Sequence, residues 1–150
     1  MARETVEGLN KLMRDIKKLP KMPQKQITKG TRRGANVILH EARARAPKRT
    51  GKMAKKITLK AERSRRGKKV FQITFQKVDR FPESVKIGKD GTRYYYPASQ
   101  NFGFRTRNGG YVEGKHFLEG AMQAKSNEAA RTIVTEIGKE IEISLREGTL

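Results

Sequence analysis

Residues 44–61 read ARAPKRTGKMAKKITLKA, and the period of the apolar positions changes within them. Upstream, Ile27, Ala35, Ile38, Leu39, Ala42 and Ala46 recur at the three- and four-residue spacing of one helix face. Pro47 closes that helix, because the residue before a proline is steered away from helical geometry. Downstream, Ile57, Leu59 and Ala61 alternate with Thr58 and Lys60, the two-residue period of a strand. The stretch between, APKRTGK at 46–52, is read as a loop. Thr50 is suited to hydrogen-bond local backbone there, and Gly51 supplies the unusual dihedrals of a turn into the strand.

Working outward, Phe71, Ile73 and Phe75 alternate with Gln72, Thr74 and Gln76, which predicts a second strand antiparallel to the first. Their connection, RSRRGKK at 63–69, holds Arg63, Arg65, Arg66, Lys68 and Lys69 around one glycine and reads as an exposed hairpin tip. A third short strand is expected near Ser84 to Ile87, ended by the turn Gly88-Lys89-Asp90-Gly91. The aromatic stretch YYYPASQNFGFRTRNGGY at 94–111 is read as a short helix or turn followed by a long loop, its tyrosines as core or interface residues. Beyond it, Ala130, Ile133, Val134, Ile137, Ile141 and Leu145 mark a long amphipathic helix packing on the sheet, with Glu128, Glu136, Glu140 and Glu142 on other faces. Gly138 costs that helix about 1 kcal/mol relative to Ala, which suits a close approach of another backbone.

The N-terminal segment repeats the helical period with Val6, Leu9, Leu12, Met13, Ile16 and Leu19, stopped by Pro20 and Pro23. The expected organisation is therefore an amphipathic helix or arm over 1–22 and a single domain over 23–150. Its class is α+β: a small antiparallel β-sheet packed against a long C-terminal helix and N-terminal helices, with an extended basic hairpin loop.

Charge divides the chain in a second way. Residues 1–80 carry 25 Lys and Arg against 6 Asp and Glu, and residues 81–150 carry 10 against 9, so nearly all of the +20 lies in one half. Such a charge repels itself in a compact fold and calls for an anionic partner. A second basic group, Lys48, Arg49, Lys52, Lys55 and Lys56, precedes the first strand and extends the cationic face of the hairpin tip. Both groups have two readings: a solvated surface, or contacts to phosphates or to an acidic protein. The absence of cysteine excludes disulfides, thiolate metal sites and a cysteine nucleophile. No apolar run approaches the roughly 20 residues of a membrane span, and a soluble protein made in a cytoplasm is expected.

Catalytic patterns are wanting. His40-Glu41 begins like a zinc-protease motif, but Ala44 stands where the second histidine belongs. Gly51-Lys52 resembles the end of a phosphate loop, but Met53 replaces the magnesium-binding hydroxyl. His116, beside Phe117 and Leu118, is read as structural. No catalytic, metal or cofactor residues are assigned.

Three motifs in order carry a family resemblance. Ala46-Pro47-Lys48-Arg49-Thr50-Gly51-Lys52-Met53 resembles the APxxTGxL signature of the head-tail joining, or neck and tail-completion, proteins of long-tailed bacteriophages. Tyr95 through Gly103 is similar to their tyrosine-rich segment ending in EFG, and His116 through Ala121 to their PFLxPA step into the last helix. The chain departs from the pattern at Asn101, where an acidic residue is usual, and at His116 and Gly120, where prolines are common. In this resemblance Pro47, Thr50, Gly51, Phe102, Gly103, Phe117, Leu118 and Ala121 are structural. Phe102 is expected to be buried at a tight bend, and Phe117, Leu118 and Ala121 to seat the last helix on the sheet.

The resemblance implies a non-enzymatic virion protein assembled in the host bacterial cytoplasm and placed at the head-tail junction. It implies a homo-oligomeric ring, sixfold to match a tail tube or twelvefold to match a portal. The implied partners are a head connector, adaptor or head-closure protein on one side and a tail terminator or tail tube protein on the other. Weak contact with packaged DNA is implied, and no membrane. The basic N-terminal half and the more neutral C-terminal half with its glutamate-bearing helix are the candidate faces. A free-standing basic nucleic-acid-binding protein is the alternative, and an enzyme ranks third.

Overall fold

The computed structural model describes residues 24–49, 51–63 and 68–147. The pattern expected over 1–22, Thr50, and Arg65 and Arg66 of the basic tip lie outside them. Helix α1 runs Gln24–Arg45 and the short helix α2 runs Lys52–Lys56. Strands β1 (Ile57–Ala61) and β2 (Phe71–Phe75) follow, then two single-turn 3₁₀ helices at Val78–Arg80 and Pro82–Ser84. Strands β3 (Val85–Ile87) and β4 (Arg93–Tyr95) lead into helix α3 (Tyr96–Phe102). Strands β5 (Gly103–Arg105) and β6 (Tyr111–Glu113) precede helix α4 (Phe117–Arg146). The class is α+β, with antiparallel strand pairs packed against a long C-terminal helix and an N-terminal helix.

The 46–52 stretch behaves as its residues dictate, with one addition. Helix α1 stops at Arg45 ahead of Pro47, and Ala46 closes the last turn by donating its N–H to the Ala42 carbonyl at 3.0 Å. Gly51 takes φ 64° with open space around its Cα, so the left-handed backbone rather than crowding requires glycine. That turn starts the extra helix α2, which drops Met53 into the core before the chain extends into β1.

Strands β1 and β2 pair from Ile57 opposite Phe75 to Ala61 opposite Phe71. A Glu62 N–H bond to the Val70 carbonyl, 3.0 Å, continues the ladder toward the tip. The expected third strand exists as β3, paired with β4 across the Gly88–Gly91 turn. The long loop expected after residue 102 is corrected: Gly103–Arg105 pairs with Tyr111–Glu113 as a hairpin. Its strands are three residues each, too short for a two-residue period to stand out. Among the described residues the strands form three separate two-stranded ladders rather than one sheet.

Two apolar clusters share Leu118 and Ile73 at their margins. Leu39, Ala46, Met53, Ile57 and Phe117 form one, with Leu59, Phe75 and Tyr96 packed against it. Ile38, Ala42, Ala121 and Ala129 form the other. Phe117 and Leu118 seat the start of α4 beside β2, Phe117 meeting the Phe75 ring edge-on at 6.2 Å, whereas Ala121, expected on the sheet, packs with Ile38 and Ala42 of α1. Beyond that start, α4 runs along α1.

Helices α1 and α4 are antiparallel, since Gln26, Lys29 and Arg33 meet Ser144, Glu140 and Glu136 in reverse order. On α1 the contacting row is Gly30, Gly34, Ile38 and Ala42, a residue every four. An added Cβ at Gly30 would lie 2.5 Å from Ile137 Cγ1, and one at Gly34 would lie 2.7 Å from the Ala129 carbonyl and strike Ile133. The glycines are therefore where backbone approaches backbone. The expectation at Gly138 is corrected, because a Cβ there meets nothing within 4 Å. Ala129 rather than its neighbour Ala130 is buried, because the partner is a helix crossing one stripe rather than a broad sheet.

Candidate interaction surface

The basic residues sort by what answers them. On α1, Lys29 pairs with Glu140 at 2.9 Å and Arg33 with Glu136, and Lys139 also reaches Glu136 at 3.4 Å. These pairs take Glu136 and Glu140 out of the outward face expected of the α4 glutamates, while Glu128 and Glu142 stay exposed. Arg43 donates from Nη2 to the Ile57 carbonyl at 2.8 Å and so fastens α1 to the first residue of β1. His40 is exposed and its neighbour Glu41 pairs with Arg45 at 2.6 Å.

The second basic group is divided. Lys52 Nζ lies 3.2 Å from Glu83, and Lys56 Nζ donates to the Arg80 carbonyl at 2.6 Å, so both brace the 3₁₀ turns against α2. The Glu83 carboxyl is held below the usual carboxylate range by its own backbone N–H and by Lys52. Lys48, Arg49 and Lys55 are exposed, and among the described residues no carboxylate lies within ion-pair distance of them.

At the basic tip Arg63 and Lys68 are exposed. Lys69 is half-buried, donating to the Glu62 carbonyl at 2.8 Å with its Nζ 5.6 Å above the Phe71 ring. The tip and the α2 group sit at opposite ends of β1, roughly 17 Å apart along a five-residue strand. Exposed Lys60 lies between them. The cationic face is a line along the first hairpin rather than a patch.

The Asn101 neighbourhood was legible only as a departure from a pattern. Its side chain is 1% exposed. Oδ1 accepts the Leu118 N–H at 3.2 Å, and Nδ2 donates to both oxygens of Glu119 at 2.9 and 3.0 Å. The Asn101 carbonyl accepts the His116 N–H at 2.9 Å. One amide thereby caps α4 from outside its own sequence, satisfying a helix-start donor and holding a carboxylate at the positive end of the helix. An acidic residue at 101 would face Glu119 without a donor between them. His116 has φ 43°, which the ring of a proline, fixed near −65°, cannot adopt. The two departures fit one geometry. His116 is exposed, and its ring meets Phe102 edge-on at 6.3 Å, consistent with a structural role.

Phe102 is a correction. It is 55% exposed, because Gly103 turns with φ 86° and leaves the ring outside the bend. Gly103 itself is crowded: a Cβ would strike the Val112 carbonyl and lie 2.6 Å from the Tyr111 hydroxyl, which donates to the Phe102 carbonyl at 2.7 Å. Tyr94, Phe104, Tyr111 and Val112 are also largely exposed, an apolar surface that composition did not reveal. Among the described residues no group of three His, Cys, Asp or Glu side chains converges to hold a metal ion, and no helix is long and apolar enough to cross a membrane.

A family model described as "Bacteriophage HK97-gp10, putative tail-component" matches residues 10–96, more than half of the chain. Neither a curated protein nor a solved structure matches it.

Proposed function

Because the chain belongs to the HK97-gp10-like family of bacteriophage tail components, we propose that this virion protein works at the neck. There it forms a ring that completes the tail end and joins it to the head connector, with DNA passing through the lumen. Residues 23–150 act as the joining domain and residues 1–22 as its arm. The task is assembly, with no substrate turned over.

The observation that carries the reading is the distribution of unanswered cations. Lys29 and Arg33 find glutamates within the chain, whereas among the described residues no carboxylate lies within ion-pair distance of Lys48, Arg49 and Lys55 before the first hairpin or of Arg63 and Lys68 at its tip. A closed ring needs two different complementary faces on each subunit, and a line of cations supplies one that an acidic neighbour can meet. Tight phosphate binding in the lumen would impede ejection, so contact with an acidic protein is favoured over DNA.

The test is Arg65→Glu with Arg66→Glu in the phage. Filled heads and free tails accumulating in place of joined particles is the expected result. Joined particles that leak DNA would assign these cations to the lumen instead, and joined particles that retain DNA normally would overturn the role given to the tip.

A further inference from the structure

Between the second and third hairpins lies a groove of about 550 Å³ that the cationic line does not reach. Its walls come from Tyr94 of β4 and Phe104 of β5, from Thr92 and Thr106 beside those strands, and from Tyr96, Ser99 and Gln100 of α3 between them. The ladder partners β3 and β6 contribute none of their own strand residues to it. Tyr94 is 46% exposed and Phe104 42% exposed, so the walls remain wet and do not enclose a small molecule.

Two properties define what fits. First, β4 and β5 each carry a ladder on one side only, so each has an open edge of backbone donors and acceptors. Isolated two-stranded hairpins are marginal in water, and an added strand would consolidate them. Secondly, the surroundings are cationic. Lys86, Lys89, Arg93, Arg105 and Arg107 are all exposed, and among the described residues no carboxylate lies within ion-pair distance of them. The acidic lining residue, Asp90, accepts the Thr92 N–H at 3.1 Å, which holds its carboxyl below the usual range and anionic, one negative charge among these five cations. Glu113 stands on β6, opposite Gly103 on the far side of the ladder.

We propose that this groove receives an extended acidic segment of a different virion protein, added as a strand along β4 or β5 with alternate apolar side chains on Tyr94 and Phe104. Backbone bonds along an open edge supply affinity, and the alternate side chains with the rim charges supply selectivity. A second copy of this chain is the poorer occupant. It carries the same +20, and Glu136 and Glu140 of α4 are already engaged by Arg33 and Lys29. That the partner belongs to the particle rests on the neck reading; the chemistry of the groove does not.

The test titrates the purified full chain with three synthetic decapeptides: alternating Glu and Leu, the same with Lys for Glu, and the Glu peptide N-methylated at alternate residues. Fluorescence anisotropy reads affinity and amide shifts read location. The acidic peptide is expected to bind with shifts at 92–96 and 103–107, and the Lys peptide at least about tenfold more weakly. Arg105→Glu with Arg107→Glu should lose about tenfold without moving the thermal midpoint, because both side chains are in solvent. Phe104→Ala is a second, uncharged variant expected to weaken binding. Equal binding of the Glu and Lys peptides, or full binding by the N-methylated peptide, would overturn the proposal. So would self-association of the free chain that Arg105→Glu with Arg107→Glu abolishes, since the groove would then belong to a second copy. Incorporation into particles is scored separately. A chain that enters necks but ignores the peptide sinks the groove alone, and one that binds the peptide but is absent from particles sinks the neck reading alone.

Discussion

Asn101 is the residue on which the C-terminal part of the fold turns. Its amide is the one group able to accept from the Leu118 N–H while donating to Glu119, and both bonds are made out of solvent. Asn101→Asp removes the donor and sets a buried carboxylate against the half-buried one of Glu119, and we expect a loss of about 2–4 kcal/mol in urea unfolding at neutral pH. Combining it with Glu119→Gln returns a donor between the two side chains and should recover most of the loss, which a double-mutant cycle measures. The sequence marks position 101 as unusual but gives no means of finding its partner, because a buried polar pair separated by 18 positions leaves no periodic trace. Gly51 is the opposite case. A glycine following a proline-terminated helix and preceding a strand has a local reason to exist, and its φ of 64° bears that reason out.

At the scale of elements, what was legible follows from length and period. Helices α1 and α4 and strands β1 and β2 span enough residues for a 3.6- or 2-residue repeat to emerge, and β3 was marked by the turn behind it. Strands β5 and β6 were not, being three residues each beside glycines. The glycine row of α1 was missed for a different reason: a pattern of apolar side chains counts what is present, whereas Gly30 and Gly34 act by what they omit. The two kinds of helical glycine are separable by experiment. Gly34→Ala forces the Ala129 carbonyl and Ile133 away from α1, and overpacking of about 1–3 kcal/mol should exceed the gain of about 1 kcal/mol in helix propensity. Gly138→Ala meets open space and should stabilise by about 0.5–1 kcal/mol. Thermal unfolding of the two variants is expected to shift in opposite directions.

Across the whole molecule, the charge asymmetry of the sequence survives folding in altered form. The first half supplies cations to α1, α2 and the first hairpin; Lys29 and Arg33 of α1 are answered by glutamates of α4 and Lys52 by Glu83, whereas among the described residues Lys48, Arg49, Lys55, Arg63 and Lys68 have no carboxylate within ion-pair distance. On the proposed neck role, screening should therefore weaken docking, with joined particles declining as salt rises from about 0.1 to 1 M, where the Debye length falls from about 10 to 3 Å. Sedimentation of joined particles against free tails checks this, and joining indifferent to salt would contradict it. The position of the groove was not legible, because it arises where two short hairpins flank a helix and no single segment encodes it. The clasp of α1 by α4 has one more outcome. Gly30 and Gly34 wait for a helix whose residues leave the ribosome about a hundred positions later, so α1 emerges with its contact row bare. Native pairing waits until those residues have emerged, and in the interval the chain's excess positive charge helps to keep it apart from its siblings.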